Sequence, residues 1–336
     1  MEAKSLIAHE GPRFAFEDVL LPDPGPDQIA VRTTYTGVSI GTEFSAITKK
    51  LDYGPYPLCT GYQAVGVVDY VGKNVTDFKI NDRVYYRSNP DIKLASNGWK
   101  VSARSGTHTS AAVLDTKGNR AFIAPLPEGV NEEAASMFVM PAVGLNGVDM
   151  ANPRMGDVVA VYGCGLVGLG VLAACSHRGC EVIAIDLEDD RLDIAKKLGA
   201  DHLVNTTRQD ALEEVHKIAS EGADVVFEST GIPNCIDPAI QLCRTHGIFV
   251  LQGNYGRHPI SYNFLAPHGK RLTMFYPCND GLEPCRKAVL KNMTMGVLPW
   301  HHVITHRVAS HDAPDLYTGI LKGEAKNVIG AVIQWG

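Results

Sequence analysis

The sequence predicts an α/β protein that combines a β-rich domain with a doubly wound parallel sheet. Three observations carry the prediction. From Asp157 onward, short apolar runs suited to buried strands alternate with helical patterns at the spacing of successive βαβ units. The first of these runs, Val158 to Tyr162, leads into a turn with glycines at Gly163, Gly165 and Gly168 and then into a helix beginning near Leu166. Before about residue 150 the pattern is one of short strands punctuated by glycine and proline, which suits a compact, partly closed β domain.

Taken in order, Ile29 to Thr36 follows the turn-forming Pro22 to Asp27 and reads as a strand, as do Ala64 to Val71 and the run Asp82 to Tyr86. From Glu132 a helical pattern runs to Ala151, with Pro141 starting its second half or kinking it. A second parallel strand, Glu181 to Ile185, closes on Asp186. Beyond it a helix (Asp190 to Leu198) ends at Gly199, a short strand covers His202 to Val204, and a helix spans about Asp210 to Ala219. A strand at Asp224 to Glu228, a helix near Ile236 to Arg244, and strands at Ile248 to Gln252 and Arg271 to Tyr276 complete the alternation. The tail holds a helix (Leu282 to Lys291) and strands near Val303 to Val308 and Ala331 to Trp335. These last strands are expected to return to the first domain, giving a discontinuous domain of residues 1–151 and 280–336 around a dinucleotide-binding domain of residues 152–279.

Composition narrows the function classes. At 336 residues the chain is long enough for two cores, and its 45% hydrophobic and 20% charged content with a net charge of −6 is that of a soluble globular protein. Lysine and arginine are scattered, so no nucleic-acid surface is expected. No apolar run is long enough to cross a bilayer, and the N-terminal MEAKSLIAHEG lacks the apolar core of a signal peptide, so a cytoplasmic location is expected. The eight cysteines are spread singly with no CxxC, and are expected to be reduced, mostly as small buried hydrophobes.

The glycine turn carries the clearest chemistry. Glycines at Gly163, Gly165 and Gly168 allow a tight turn and let the backbone of Gly163-Cys164-Gly165-Leu166-Val167-Gly168 approach a pyrophosphate, to which the helix N-terminus offers unpaired N–H groups. Asp186 stands 18 residues past Gly168, where a carboxylate accepts hydrogen bonds from an adenosine ribose and repels a 2′-phosphate. NAD is therefore favoured over NADP. Arg191 could be recruited to a phosphate or be a solvated helix residue after Glu188, Asp189 and Asp190. Because ligands lie at the carboxyl ends of parallel strands, Thr230-Gly231 and Gln252-Gly253 are expected beside the nicotinamide half.

Several stretches in one order then point further: Gly37-Val38-Ser39-Ile40-Gly41-Thr42-Glu43, Gly61-Tyr62-Gln63-Ala64-Val65-Gly66, Asp82-Arg83-Val84, the glycine turn, and Ile304-Thr305-His306-Arg307. Over essentially its full length the chain resembles the medium-chain dehydrogenase/reductase superfamily. The resemblance implies a GroES-like distorted β-barrel catalytic domain, a Rossmann domain, and hydride transfer across the groove between them. It also implies a homodimer or homotetramer, since relatives pair their Rossmann sheets edge to edge. Arg271 to Tyr276 or the apolar stretch near Gly296 to Trp300 would supply that surface.

Departures from the family pattern decide the expected chemistry. Zinc-dependent members carry a cysteine in the first motif, a His-Glu pair in the second and a further Cys or Glu on the helix before the Rossmann unit. Here those places hold Ser39 or Ile40, Tyr62-Gln63 and Met140, and no cysteine lies between Arg83 and Gly106. No zinc is expected, because a catalytic zinc needs about three thiolate, imidazole or carboxylate ligands. The zinc-less pattern looks like the branch containing bacteriochlorophyllide hydroxyethyl dehydrogenase, and is compatible with the quinone and alkenal reductases.

Without a metal, the developing alkoxide of a substrate must be met by side chains. Tyr62, standing where a ligand imidazole would project, is the first candidate for hydrogen-bonding the substrate oxygen, the alternative being an aromatic plug. Gln63 is expected to orient its neighbours. Thr42 and Glu43 occupy positions that in relatives touch the substrate hydroxyl and the ligand shell, so Thr42 is a candidate for a proton relay and Glu43 for a buried base or a structural acceptor. His108, in the Ser105-to-Ser110 loop, is a candidate base or substrate ligand. Tyr53, Tyr56 and Trp99 could line a pocket for a small-molecule polyol, sugar or other cyclic alcohol, or belong to the core. The expected activity is NAD-dependent oxidation of a secondary alcohol. An NADPH-dependent quinone or enone reductase and a non-catalytic nucleotide-binding protein stand as alternatives.

Overall fold

The computed structural model describes residues 1–118, 122–277 and 279–336, so Cys278 lies outside the described residues. The chain divides into two compact units, residues 1–137 with 304–336 and residues 138–303. These boundaries differ from the expected ones. The helices Val139–Ala151 and Leu282–Thr294, which the sequence reading placed with the β-rich domain, pack on each other, and the first of them also packs on the helix Leu166–His177.

The first unit is a β structure with two sheets. Its larger sheet runs Ile304–Ala309, Gly330–Gln334, Gln28–Val38, Ala64–Val71, Arg83–Tyr86, Ile123–Pro125, with Ala111–Asp115 paired to Gln28–Val38 off that path. The C-terminal strand Gly330–Gln334 pairs antiparallel with the far end of Gln28–Val38, placing Ala331 opposite Val38 and Gln334 opposite Tyr35. That pairing is what returns the chain terminus to the first unit. A hairpin of Glu2–His9 and Arg13–Leu20 forms the smaller sheet with Lys93–Leu94. The short helix Ile40–Ile47 follows the strand end at Val38, and the helix Ala313–Lys322 brings Leu316 and Tyr317 into a core with Leu6, Phe14, Ile47, Leu58 and Ile333.

The second unit is a six-stranded parallel sheet in the order His202–Asn205, Glu181–Asp186, Val158–Tyr162, Ala223–Glu228, Cys243–Leu251, Thr273–Phe275. Its inner strands read as continuous apolar runs because both faces are covered, and Val159, Ala160 and Val161 are fully enclosed. Thr273–Phe275 and His202–Asn205 are the two edge strands, the former pairing, among the described residues, with Cys243–Leu251 alone. Helix Leu166–His177 is apolar almost all round, as a helix between a sheet and a second helix must be. It meets Val139–Ala151 through glycines: a side chain at Gly144 would come 2.5 Å from the Val171 backbone nitrogen, and one at Gly170 would come 2.7 Å from the Pro141 Cα. Pro141 itself sits in the first turn of Val139–Ala151, where its missing N–H costs nothing.

Candidate functional site

In the second unit, the strand Val158–Tyr162 ends at the centre of the sheet and the chain turns through Gly163, whose φ of 101° favours glycine. The Gly163 N–H donates to the Ile185 carbonyl at 2.8 Å, so the turn is pinned to the neighbouring strand. Gly168 is required by close approach, since a Cβ there would lie 1.9 Å from the Gly163 carbonyl oxygen. Gly165 differs. It is the N-cap of Leu166–His177, supplies no side-chain cap, and a Cβ on it would meet nothing within 4 Å. Space is therefore open at Gly165, beside the first N–H groups and the positive dipole end of the helix, an arrangement chemically suited to an anion. Cys164 is fully buried beneath the turn, where it fills space and burial pushes its thiol up.

Asp186 ends the adjacent strand and is nearly enclosed. Its carboxylate accepts the Cys164 N–H at 2.7 Å on one oxygen and the Leu187 and Glu188 N–H groups at 2.8 and 3.0 Å on the other. It thus braces the glycine turn from below, a task additional to the ribose contact expected of it. Arg191 approaches the same carboxylate at 3.7 Å from a half-buried side chain. At the next strand end, Glu228 is fully buried and accepts the Thr230 N–H at 2.9 Å as well as the Thr230 hydroxyl and the Tyr255 phenol. Its main-chain carbonyl accepts the Gln252 and Gly253 N–H groups at 2.8 and 2.9 Å. Thr230 is thereby tied to the side chain, and Gln252 and Gly253 to the main chain, of one residue, Glu228, that sequence reasoning did not single out. Gly253 must be bare, since a Cβ there would be 2.4 Å from the Gly231 nitrogen.

In the first unit, the remaining candidates cluster around the start of helix Ile40–Ile47. The Tyr62 phenol donates to Ser39 Oγ, and the Arg87 guanidinium lies 5.6 Å above the Tyr62 ring. Burial pushes the Tyr62 phenol well above the ordinary range, hydrogen bonds with Ser39 and Thr42 opposing the shift. Gln63 is fully buried, with Nε2 3.4 Å from the Gly37 carbonyl. Glu43 and His108 are fully enclosed as well. Glu43 Oε1 accepts the Ser39 N–H at 2.7 Å; Oε2 accepts the Thr60 hydroxyl at 2.8 Å and the Tyr317 phenol at 2.7 Å and lies 2.9 Å from His108 Nε2. Burial alone would raise the Glu43 carboxyl; the His108 ring and these donors outweigh it and hold the carboxyl below its ordinary value.

His108, the candidate base or substrate ligand of the Ser105-to-Ser110 loop, has both ring nitrogens engaged: Nδ1 lies 2.8 Å from the Thr36 hydroxyl, which also accepts Trp335 Nε1–H at 2.9 Å, and Nε2 faces Glu43 and Tyr317. The motif glycine Gly61 packs on this ring, with room for no Cβ at 2.7 Å from His108 Cδ2. The structure thus brings Tyr62, Thr42, Glu43 and His108 into one cluster and adds Ser39, Thr36, Thr60, Tyr317 and Trp335. Tyr317 and Trp335 carry no motif, and no local signal could have found them. Trp99 is two-thirds exposed, while Tyr53 and Tyr56 pack against the core that holds Tyr317. Among the described residues no group of three or more His, Cys, Asp or Glu stands close enough to hold a metal ion.

Comparison with known proteins gives two family matches: the alcohol dehydrogenase GroES-like domain over residues 25–127 and the zinc-binding dehydrogenase family over residues 167–290. The sorbitol dehydrogenase of Bacillus subtilis is 27% identical over 288 residues, covering 78% of this chain and 79% of the relative. The D-xylulose reductase A of Aspergillus oryzae is 28% identical over 296 residues, covering 82% and 81%. The crystal structure of the 2R,3R-butanediol dehydrogenase of Bacillus subtilis superposes with a TM-score of 0.84 at 22% identity over 99% of both chains.

Proposed function

The chain belongs to the medium-chain dehydrogenase/reductase superfamily of zinc-type alcohol dehydrogenase-like proteins, and on that premise we propose that it is a zinc-independent oxidoreductase. It moves a hydride between NAD(H) and a secondary alcohol or ketone, most naturally a polyol, sugar or other cyclic alcohol. The substrate class follows the sorbitol, xylulose and butanediol names of its relatives.

The observation that carries the reading is the hydroxyl pair Ser39–Tyr62 at the metal-ligand positions, in a chain whose glycine cradle is complete. The residues present do not fit a catalytic zinc. Ser39, Tyr62, Gln63 and Met140 offer a hydroxyl, a phenol, an amide and a thioether, and the first two are hydrogen-bonded to each other. They do fit a dinucleotide: a bare Gly165, an uncapped helix N-terminus, and an acid at the second strand end. Bound NAD supplies the hydride acceptor. Leu166 and Val167 would hold its pyrophosphate by their N–H groups, Asp186 the adenosine ribose, and Thr230, Gly231, Gln252 and Gly253 would line the nicotinamide half, with Arg191 at the rim.

At the reacting oxygen, Tyr62 keeps its proton at neutral pH because burial disfavours the phenolate. With a carbonyl bound, the phenol hydrogen would turn from Ser39 Oγ to the substrate oxygen and the Ser39 hydroxyl would donate to the phenol oxygen in its place. Tyr62 thereby serves as hydrogen-bond donor and acid in reduction and is reprotonated through Ser39 and Thr42. Gln63 holds the turn that carries Tyr62. Glu43 acts from behind Ser39 and does not touch substrate.

The test is a titration of the purified, metal-analysed protein with NAD and NADP, followed by a panel of polyols, sugars and cyclic alcohols. Reduction of NAD with at least one alcohol, by protein free of stoichiometric zinc, is the expected result. Alcohol turnover that requires bound zinc overturns the metal assignment. Reduction of enones or quinones by NADPH with no alcohol oxidation, or nucleotide binding with no turnover, overturns the activity.

A further inference from the structure

The Glu43 carboxylate holds more partners than burial alone requires, and its partners come from well-separated segments of the chain. Thr60 precedes the Gly61-Tyr62 turn, His108 lies in the Ser105-to-Ser110 loop, and Tyr317 arrives on the helix Ala313–Lys322. All three address the same oxygen, Oε2. Because an ionised carboxylate only accepts, each of these atoms must present a hydrogen, which fixes the proton on His108 Nε2. The other oxygen is left for one task, the Ser39 N–H at 2.7 Å. The Glu43 N–H in turn donates to the Ser39 carbonyl at 2.9 Å. Ser39 is thus held by Glu43 at both its N–H and its carbonyl, and its side chain is the hydroxyl that receives the Tyr62 phenol.

We propose that Tyr317 and His108 are positioning residues for the Ser39–Tyr62 hydroxyl pair, acting through Glu43. The proposal rests on the reading that Tyr62 meets the substrate oxygen. By occupying Oε2 they fix the rotation of the carboxylate, so that Oε1 stays on the Ser39 amide and the hydroxyl pair keeps one geometry. The His108 ring is itself held from behind by Thr36, which Trp335 anchors. Tyr317 is locked by its ring, which stacks on Phe44 with centroids 5.2 Å apart and meets Phe14 edge-on at 5.4 Å. A phenylalanine at 317 keeps both ring contacts and removes only the donor. On the zinc-independent reading, a fixed hydroxyl pair takes over the duty of orienting the substrate oxygen.

The test uses Tyr317→Phe, with Thr60→Val as a second variant that removes a donor from the same oxygen without touching the ring. Turnover number should fall roughly tenfold in each, less than for loss of a donor aimed at the substrate itself, with NADH affinity unchanged. Because Tyr317 acts through Tyr62, adding Tyr317→Phe to Tyr62→Phe should cost nothing further. The acid limb of the turnover–pH profile should move upward, since Glu43 loses a donor that keeps it ionised; the other titratable groups facing it are His108, Tyr53, Tyr62 and Cys59. A second arm needs no turnover. In protein labelled with carbon-13 at the tyrosine ring Cζ, the Tyr62 resonance, assigned by its loss in Tyr62→Phe, should shift in Tyr317→Phe and Thr60→Val. An unmoved Tyr62 resonance in both variants, or full multiplication of the two turnover losses in the double variant, overturns the proposal. If the wild-type protein oxidises no alcohol, the proposed activity fails while the resonance arm still decides whether Tyr317 and Thr60 control Tyr62.

Discussion

Two glycines of the same turn should respond to the same substitution in opposite ways. At Gly168 an added methyl would sit 1.9 Å from the Gly163 carbonyl oxygen, against an ordinary contact of 3.4 Å, so helix and turn must separate by 3.4 − 1.9 = 1.5 Å. That movement loosens the Leu169 N–H to Gly165 carbonyl bond of 2.8 Å and the Gly163 N–H to Ile185 carbonyl bond of 2.8 Å. Overpacking of this kind costs about 1–3 kcal/mol. In a unit the size of residues 138–303 that lowers Tm by roughly 2–4 °C per kcal/mol. At Gly165 the backbone has φ −71° and ψ 178°, which alanine adopts freely, and the methyl meets nothing within 4 Å. Gly165→Ala should therefore leave Tm within about 2 °C, the weaker N-cap preference of alanine offsetting the entropy gain in the unfolded chain. Its methyl does, however, stand over the N–H groups of the helix start. NADH affinity should fall at least about tenfold, or ~1.4 kcal/mol, measured by nucleotide fluorescence titration beside thermal unfolding without ligand. Gly168→Ala should lose both stability and affinity. A Gly165→Ala protein that binds NADH as the wild type does would remove the helix start as the pyrophosphate seat.

Asp186→Ser takes acceptors from three backbone N–H groups as well as a charge from the ribose site, so Tm should fall while NADP binding improves relative to NAD; an unaltered cofactor ratio in titrations would mean that the carboxylate serves only the turn. Glu43 has a folded-state pKa below its unfolded value, so its stabilising contribution is complete above the unfolded carboxylate range and is lost as pH falls through the lower folded value. The Tm gap between wild type and Glu43→Gln should accordingly be largest near neutrality and narrow in acid, and a gap independent of pH would show that the carboxylate charge does not support the fold.

The parallel-sheet unit was legible because its physics is local. Strands covered on both faces must be runs such as Val158–Tyr162 and Ala223–Glu228, and the turn between strand and helix admits only glycine at Gly163 and Gly168. Expected and observed strands there agree to within a residue or two, apart from Cys243–Leu251, which starts five residues earlier than expected. The β-rich unit was legible only in part. The N-terminal hairpin and the helices Ile40–Ile47 and Ala313–Lys322 were not assigned, since their patterns are short and their stability comes from tertiary packing in the core around Tyr317. The segment Ser105 to Ser110 is polar in sequence and carries His108 as a candidate base or substrate ligand. It is interior because each buried polar group finds a distant partner: His108 on Thr36 and Glu43, and the Thr109 carbonyl on the Thr33 hydroxyl at 2.6 Å. Such pairings depend on topology, here the antiparallel pairing of Ala111–Asp115 with Gln28–Val38, which carries the preceding segment past Thr33 and Thr36, and no spacing in the chain encodes them.

Stability is a weak explanation for the Glu43 network. Enclosing a carboxylate and an imidazole costs several kcal/mol before any pairing is counted, and buried ionic groups replaced together by apolar side chains of similar volume often leave a protein as stable or more so. The core around Tyr317 is already rich in phenylalanine, leucine and isoleucine, so apolar replacements would have had company. What apolar side chains could not supply is the orientation of one peptide unit. The Ser39 N–H lies at the start of a helix, where no intrahelical acceptor exists for it, and a carboxylate there also gains from the helix dipole. Water could satisfy that N–H equally well in energy, but water does not fix where the Ser39 hydroxyl points. A carboxylate held on its second oxygen by Thr60, His108 and Tyr317 does. The network is therefore best understood through the geometry it imposes on Ser39 and, through the Ser39 hydroxyl, on Tyr62.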